Sequence, residues 1–221
     1  MYKDLVSIII TTYKRPFEFV LRAVKSVLMQ TYSNWELFIV DDSPNDYSER
    51  VVIKQQINAL GDKRIKYILH GTNLGACAAR NTGIRMAKGE FIAFLDDDDE
   101  WLPQKIEKQI TKINQPEIGL VYCSSYTIIN VNGKTKKTLR EYRIEGFVFD
   151  KLILKNFIGS TSFVMVKRQA LFDCGLFNIE MQSAQDYELW LRIAKKYAVA
   201  CVSEPLVNYY IHNGERITTN I

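Results

Sequence analysis

The sequence has no long hydrophobic run and little excess charge. No stretch approaches the 18 apolar residues of a membrane-spanning helix, and the short apolar run at residues 5–10 is typical of a strand rather than a signal peptide. We therefore expect a cytoplasmic protein without a membrane span. A net charge of +4 falls well short of the basic surface of a dedicated nucleic-acid-binding protein, so we expect no nucleic-acid partner.

Cysteine and histidine are scarce and scattered. The cysteines form no C-x-x-C pair and the histidines do not cluster, which argues against a zinc site and against a disulfide framework. We expect buried, reduced thiols at Cys77, Cys123, Cys174 and Cys201. No G-x-G-x-x-G follows the first predicted strand and no Walker lysine motif occurs, so classical dinucleotide-binding and P-loop sites lack support.

The first hundred residues alternate short apolar runs with amphipathic segments. The apolar runs predict strands at residues 5–11, 35–40, 65–69 and 91–95. The segments between and after them predict helices at about 17–28, 48–60, 76–88 and 103–114. Such strand–helix units in succession predict a parallel, doubly wound α/β sheet. A chain of 221 residues with 47% hydrophobic residues can bury the core of one such domain.

The second half is less regular. Its pattern predicts strands at residues 119–124 and 162–166, a hairpin turn at 132–133, and helices at 167–174 and 187–196. A basic stretch follows the turn, with Lys134, Lys136, Lys137, Arg140 and Arg143. We interpret it as a solvated surface loop, and leave a contact with an acceptor or a membrane as the alternative.

Four aspartates follow the fourth predicted strand directly. Because ligands bind at the carboxyl edge of open α/β sheets, Asp96, Asp97, Asp98 and Asp99 lie where a site is expected. A divalent cation would relieve their mutual repulsion. The alternative is a solvated acidic turn that caps the next helix. An EF-hand is excluded, because Trp101 stands where that loop requires glycine.

Other polar residues are predicted at the same edge of the sheet. Tyr13 follows strand one, Asp42 follows strand two, and Arg80 follows strand three. An aromatic ring, an acceptor and a cation suit a nucleotide diphosphate, since they can stack on a base, bind a base N–H and face phosphate. Each also has an ordinary structural explanation, as a surface aromatic, a turn-forming residue or a helix-surface cation. Their convergence favours a nucleotide site.

Five motifs follow one another along the chain: Val6-Ser-Ile-Ile-Ile-Thr-Thr-Tyr13, Ile39-Val-Asp-Asp-Ser43, Asn73-Leu-Gly75 with Ala79-Arg-Asn81, Phe94-Leu-Asp-Asp-Asp-Asp99, and Gln185-Asp-Tyr-Glu-Leu-Trp-Leu-Arg192. This ordered set resembles the motifs of the family 2 glycosyltransferases, which are inverting enzymes of the GT-A fold. The match spans about residues 5–212. The first motif has Thr-Thr-Tyr-Lys where Pro-Thr-Tyr-Asn is common, and Gln185 stands where an acid often precedes the base.

The resemblance implies a role for individual residues. Nucleotide-binding roles fall on Thr11, Tyr13, Asp42, Arg80, Asp96 and Asp97. Asp96 and Asp98 resemble the two acids of the D-x-D motif, with Asp98 as the direct ligand of Mn²⁺ or Mg²⁺. Asp186 matches the catalytic base, and His212 could approach the diphosphate. The chain is then one GT-A domain over residues 1–221, with a nucleotide-binding half to about residue 100 and an acceptor-binding half after it.

The implied activity is inverting transfer of a sugar from a nucleotide sugar, expected to be a UDP-sugar, to a hydroxyl group. The acceptor would be a glycan, glycolipid or glycoprotein in bacterial-type surface polysaccharide synthesis or protein glycosylation. Peripheral membrane contact and homo-oligomerisation stay open. One alternative is a sugar nucleotidyltransferase, which should have a Gly-rich basic loop where this chain has Tyr13-Lys-Arg-Pro16. The other is a non-catalytic nucleotide-sugar binding protein.

Overall fold

A computed structural model describes residues 2–131 and 133–211 of the chain. In this part of the chain nine strands form one sheet. They are β1 (Tyr2–Thr12), β2 (Trp35–Asp41), β3 (Ile65–Leu69), β4 (Gly89–Asp96), β5 (Glu100–Trp101), β6 (Ile118–Val131), β7 (Lys134–Arg140), β8 (Met165–Lys167) and β9 (Ala198–Ile211). The helices are α1 (Phe17–Leu28), α2 (Glu49–Asn58), α3 (Ala76–Met86), α4 (Lys105–Ile113), α5 (Phe149–Leu152), α6 (Arg168–Cys174) and α7 (Gln185–Lys196).

The four strands of the first half are parallel and lie in the order β3-β2-β1-β4. The apolar runs of β1, β2 and β4 are buried, as is typical of parallel strands covered by helices. Strand β3 lies at the edge of the sheet, and only its Tyr67 is buried. Helix α3 approaches β1 closely because it has a glycine at the contact: a Cβ on Gly83 would lie 2.7 Å from Ile9 Cγ2. The predicted succession of parallel strand–helix units is confirmed.

The second half extends the same sheet beyond β4 in the order β8-β6-β9-β5, and β7 also pairs with β6. Strand β8 is antiparallel to both β4 and β6, whereas β9 is parallel to β6. Strands β6 and β9 therefore run in the same direction as β1. Six of the nine described strands share one direction, which confirms a mostly parallel sheet flanked by helices.

Three parts of the second half differ from the sequence-based prediction. The strand predicted at 162–166 begins as a 3-10 turn, Thr161–Phe163, so only β8 pairs in the sheet. The basic stretch after the hairpin turn is not a loop but strand β7, whose seven residues are all exposed. The sequence pattern does not reveal β9, because Pro205 interrupts it. The β6–β9 register shifts on both sides of the Ser124–Pro205 pair, since proline cannot donate a ladder hydrogen bond.

A buried polar cluster holds the 3-10 turn in place. Trp101 Nε1 donates to the Ser162 carbonyl (2.9 Å), and Gln109 Nε2 donates to the Phe163 carbonyl (2.7 Å). Lys105 Nζ donates to Gln109 Oε1 (2.7 Å) and is completely buried. Burial lowers the pKa of Lys105 to about 7. The Trp101 ring, 3.9 Å from Nζ, favours the charged form and opposes that shift.

The state of the cysteines agrees in part with expectation. All four cysteines are free; three are buried, whereas Cys174 is only half-buried. No helix within residues 2–131 and 133–211 is long and apolar enough to cross a membrane.

Candidate active site

The carboxyl ends of β1, β2 and β4 bring the first predicted site residues to one edge. In the β1–β4 ladder Thr11 lies opposite Asp96. The loops after β1 and β2 are joined, because the Lys14 N–H donates to Ser43 Oγ (2.8 Å). Tyr13, in the loop after β1, is exposed. The predicted clustering of these residues at one sheet edge is therefore observed.

Asp42 is buried and fixes the loop that leads into α3. Its Oδ1 accepts hydrogen bonds from the Leu74 N–H (2.9 Å) and from His70 Nδ1 (2.7 Å), and its Oδ2 accepts from the Gly75 N–H (2.7 Å). A carboxylate has about four acceptor positions, so one position remains on Oδ2. The contact between Asp42 and a base N–H stays a prediction that this geometry permits.

His70 is a neighbour of the site that the sequence reasoning missed. Its Nδ1 bonds Asp42, and its Nε2 lies 3.0 Å from Thr82 Oγ1 in α3. It therefore links the end of β2 to α3. The signal in the sequence was its position directly after β3, at the same edge as the other predicted residues.

The four aspartates divide into two open and two buried side chains. The side chains of Asp96 and Asp98 are 28% and 26% exposed, whereas that of Asp97 is 7% exposed and Asp99 is fully buried. Asp97 Oδ1 accepts from Arg15 Nε (3.0 Å). Alternate residues thus face the open edge, which matches the spacing of a D-x-D motif. The tetrad does not cap α4, whose N-cap position is Gln104.

Burial and nearby arginines relieve the repulsion within the tetrad. Burial raises the pKa of Asp97 to about 6, against the attraction of Arg15, and raises the pKa of Asp99 well above its usual range. Burial would also raise the pKa of Asp96. The Arg80 charge and hydrogen bonds outweigh that effect, so the pKa of Asp96 is lowered. Burial therefore disfavours the charged forms of Asp97 and Asp99, whereas Arg80 and the hydroxyl groups favour the charged form of Asp96.

Asp96 is held by three side chains from two distant segments. Its Oδ1 accepts from Arg80 Nη2 (3.0 Å) and Thr161 Oγ1 (2.9 Å), and its Oδ2 accepts from Ser160 Oγ (3.0 Å). The sequence reasoning identified Arg80 but not the two hydroxyl residues. Their only sequence signal was the small polar run Ser160-Thr-Ser162 before a predicted strand. The side chain of Arg80 is paired with Asp96 in this arrangement.

A cavity of about 450 Å³ lies beside this carboxylate and contains Asp186. It is lined by Arg80, Asp96, Arg140, Asn156, Gly159, Ser160, Thr161, Phe163, Ala184, Gln185, Asp186, Tyr187 and Tyr209. Three predicted site residues therefore meet in it: Arg80, Asp96 and Asp186. Thr11, Tyr13, Asp42, Asp97 and Asp98 belong to the same sheet edge but do not line this cavity. His212 lies outside the described residues.

Asp186 lies in the first turn of α7. A purely structural role as the N-cap of α7 does not apply to it, because α7 begins at Gln185 and Ala184 occupies the cap position. Asp186 Oδ1 accepts from the Tyr187 N–H (2.7 Å). Burial raises the pKa of Asp186, with Asp96 adding to the shift and the Tyr187 bond and Arg80 opposing it. A half-buried carboxylate with a raised pKa in a cavity has the properties of a general base.

The residues fit one kind of cation site. Among the described residues, no three His, Cys, Asp or Glu side chains are grouped so that they could hold a metal ion. Cations such as Mg²⁺ are often held by one or two carboxylates together with substrate phosphates, and the open Asp96 and Asp98 fit that pattern. Both carboxylates already have partners, since Asp96 accepts three hydrogen bonds and Asp98 Oδ2 lies 3.5 Å from Arg15 Nη2, so a cation would share either carboxylate with these groups.

The fold is that of the GT-A glycosyltransferases. The chain superposes on *Staphylococcus aureus* TarS (residues 1–349) with a TM-score of 0.71 and 19% identity, covering 93% of this chain and 60% of TarS. The TarS complex with UDP-GlcNAc matches with a TM-score of 0.70 and 20% identity, over 98% of this chain and 61% of that one. These likenesses describe the fold.

Residues 7–175 match the model of glycosyl transferase family 2, and the chain belongs to that family. It is 34% identical to the *Escherichia coli* (strain K12) colanic acid biosynthesis glycosyl transferase WcaA, over 98% of this chain and 76% of WcaA. It is 35% identical to the *Escherichia coli* UDP-Glc:alpha-D-GlcNAc-diphosphoundecaprenol beta-1,3-glucosyltransferase WfgD, over 90% of this chain and 73% of WfgD. The chain thus spans about three quarters of these relatives and about 60% of TarS.

Proposed function

We propose that the protein transfers a sugar, with inversion, from a UDP-sugar to a hydroxyl of a saccharide-bearing acceptor in surface polysaccharide assembly. The observation on which this rests most is the cavity that joins Asp186 to Asp96 and Arg80 at the carboxyl edge of the sheet. The names of the relatives support a UDP-sugar donor and a role in surface polysaccharide synthesis. WfgD is named for UDP-Glc and WcaA for colanic acid, and TarS has been crystallised with UDP-GlcNAc.

The charges in the cavity suit both halves of the reaction. Breaking the sugar–phosphate bond builds positive charge at the anomeric carbon and negative charge on the departing diphosphate. Arg80 lies where it can stabilise the negative charge once donor binds. Asp186 would accept the proton of the attacking hydroxyl, and burial brings the pKa of Asp186 closer to neutral pH, as an efficient base requires. Attack from the face opposite the diphosphate inverts the anomeric centre.

The nucleoside would bind at the neighbouring part of the edge. Tyr13 is exposed and can stack on the base, while Thr11 lies beside Asp96 in the ladder. Asp42 has one acceptor position left for the uracil N3–H. Asp97 would contribute by holding Arg15 at this edge.

Asp98, with Asp96, would hold Mn²⁺ or Mg²⁺ together with diphosphate oxygens of the donor. Such a cation would neutralise charge on the diphosphate. The cytoplasmic location, the division into donor and acceptor halves, and homo-oligomerisation stay predictions.

The function is tested by incubating the protein with a panel of nucleotide sugars and water-soluble saccharide acceptors, with Mn²⁺, Mg²⁺ or a chelator, and identifying the products. A glycosyltransferase releases nucleoside diphosphate, and UDP is the expected product. Pyrophosphate would indicate a sugar nucleotidyltransferase, and absence of both products across the panel would indicate a binding protein. Either outcome contradicts the proposal.

A further inference from the structure

The surplus of positive charge is concentrated in one segment, residues 134–156, which we call the rim segment. It contains seven Lys and Arg residues and three Asp and Glu residues, a surplus of four. The whole chain has 29 Lys and Arg residues and 25 Asp and Glu residues, which is the same surplus of four, so the rest of the chain has equal numbers of basic and acidic residues. All residues of β7 in this segment are exposed. Two of its acids already face cations, since Glu141 pairs with Arg143 and Glu145 with Lys112.

The rim segment also displays large apolar side chains. Leu154 (86%) and Phe147 (77%) are the most exposed large apolar side chains of the described residues. Val148 and Leu152 are buried, so they anchor α5 while its flanking residues project to solvent. Tyr187 Oη donates to the Leu152 carbonyl (2.7 Å), which ties this turn to the helix that contains Asp186. The apolar side chains are therefore held on an ordered part of the fold.

Two residues of the rim segment reach the cavity. Arg140, the last residue of β7, and Asn156 line it together with Asp186. An acceptor that is held at the rim segment is thus next to the proposed base.

We propose that the rim segment docks on an anionic membrane surface, where the protein meets an acceptor anchored in lipid. This deepens the proposed function on its acceptor side and rests on it. Exposed Phe and Leu side chains among lysines suit the boundary between acyl chains and anionic headgroups. A protein partner is less favoured, because protein interfaces are depleted in lysine.

The test is cosedimentation of the full chain with vesicles of phosphatidylcholine alone and of phosphatidylcholine mixed in equal parts with phosphatidylglycerol. The parent should bind the anionic vesicles preferentially and lose binding as salt rises. Phe147→Ser with Leu154→Ser should weaken binding by roughly ten-fold or more for each side chain. Replacing Lys134, Lys136 and Lys137 with Gln should weaken it by about five-fold for each lysine.

Matched controls come from other faces of the molecule. Met29→Ser with Ile179→Ser removes exposed apolar side chains elsewhere, and replacing Lys25, Lys63 and Lys88 with Gln removes three exposed lysines elsewhere. Both controls should bind vesicles like the parent. Thermal melts show whether each variant folds. If the apolar variant folds poorly, the variant at Lys134, Lys136 and Lys137 still tests the proposal, because these lysines are exposed.

Three results would overturn the docking proposal. The parent could bind neutral and anionic vesicles equally, or both rim variants could bind vesicles like the parent. The third result is that the parent is a dimer and that the Phe147→Ser, Leu154→Ser variant is a monomer. The last result would make the rim segment an interface between two copies. UDP release with a water-soluble acceptor separates this proposal from the proposed function. Rim variants that lose vesicle binding but release UDP normally support docking. A parent that binds vesicles but releases no UDP from any donor contradicts the function alone.

Discussion

Replacing Asp186 with asparagine separates its basicity from its structural contacts. Asparagine has the same size, and its Oδ1 can still accept the Tyr187 N–H that Asp186 accepts at 2.7 Å. What it loses is the ability to take a proton. General-base catalysis is typically worth about 10²–10⁴ in rate, or about 2.7–5.4 kcal/mol of activation free energy. Donor binding should stay near the parent value, so the loss should appear in the single-turnover rate.

The same variant should not lose stability. Burial raises the pKa of Asp186, so the folded state binds its proton more tightly than the unfolded state does. The ionised side chain therefore costs folding free energy above that raised pKa, and the cost disappears below the unfolded value of about 3.9. At neutral pH Asp186→Asn should melt at the same temperature as the parent or higher. In the parent, the rate should fall as pH falls through the raised pKa of Asp186.

Glu188→Gln is the matched control. Glu188 lies in the same turn and pairs with Arg192 (2.7 Å), but it does not line the cavity. We expect normal turnover and a stability loss of about 0.5 kcal/mol or less. The assays are single-turnover rate, UDP affinity by calorimetry and melting temperature for both variants. Full activity in Asp186→Asn would refute the assignment of the base, and a large activity loss in Glu188→Gln instead would identify the neighbouring acid.

Three further predictions concern the donor edge and the core. Mn²⁺ should raise the UDP affinity of the parent, and Asp98→Ala should lose most of that gain. Calorimetry would contradict this if the parent with Mn²⁺, the parent with chelator and the variant with Mn²⁺ all bound UDP with the same affinity. Asp42→Ala should lower UDP affinity about ten- to a hundred-fold. It should also lower the unfolding free energy by about 1–3 kcal/mol, because the buried His70 Nδ1 and the Leu74 N–H lose their acceptor, whereas the Gly75 N–H keeps Asn73 Oδ1 (3.0 Å). Parent-like UDP affinity would rule out the base contact. Because burial lowers the pKa of Lys105 to about 7, from about 10.4 in the unfolded chain, the unfolding free energy should rise with pH across that window. Denaturant titrations of the parent and of Lys105→Met measure this effect as the difference between their unfolding free energies. That difference should change with pH by at most about 1.36 kcal/mol per pH unit, and a difference that stays constant with pH would contradict the prediction.

Local sequence was sufficient for the first half of the fold. Buried parallel strands are nearly continuous apolar runs, so β1, β2, β3 and β4 stand out from the helices between them. The second half was harder to predict, because its strands pair across long separations and include exposed and interrupted segments. Strand β7 has no buried residue, and β9 contains a proline at a register shift. Neither pattern differs locally from that of a loop.

The sequence by itself determined which residue types reach the carboxyl edge of the sheet, because every parallel strand ends at that edge. It thereby predicted that the residues after β1 and β4 would share one edge of the sheet, and in the structure Thr11 pairs with Asp96 in the β1–β4 ladder. Only the tertiary structure decided how the four aspartates share burial, since that depends on Arg15 and on β9, both far from them in sequence. The cavity likewise exists only because α7 and the turn at residues 160–163 fold back beside Arg80. Side-chain contacts over such separations are set by packing of the whole domain and leave no local periodicity to read.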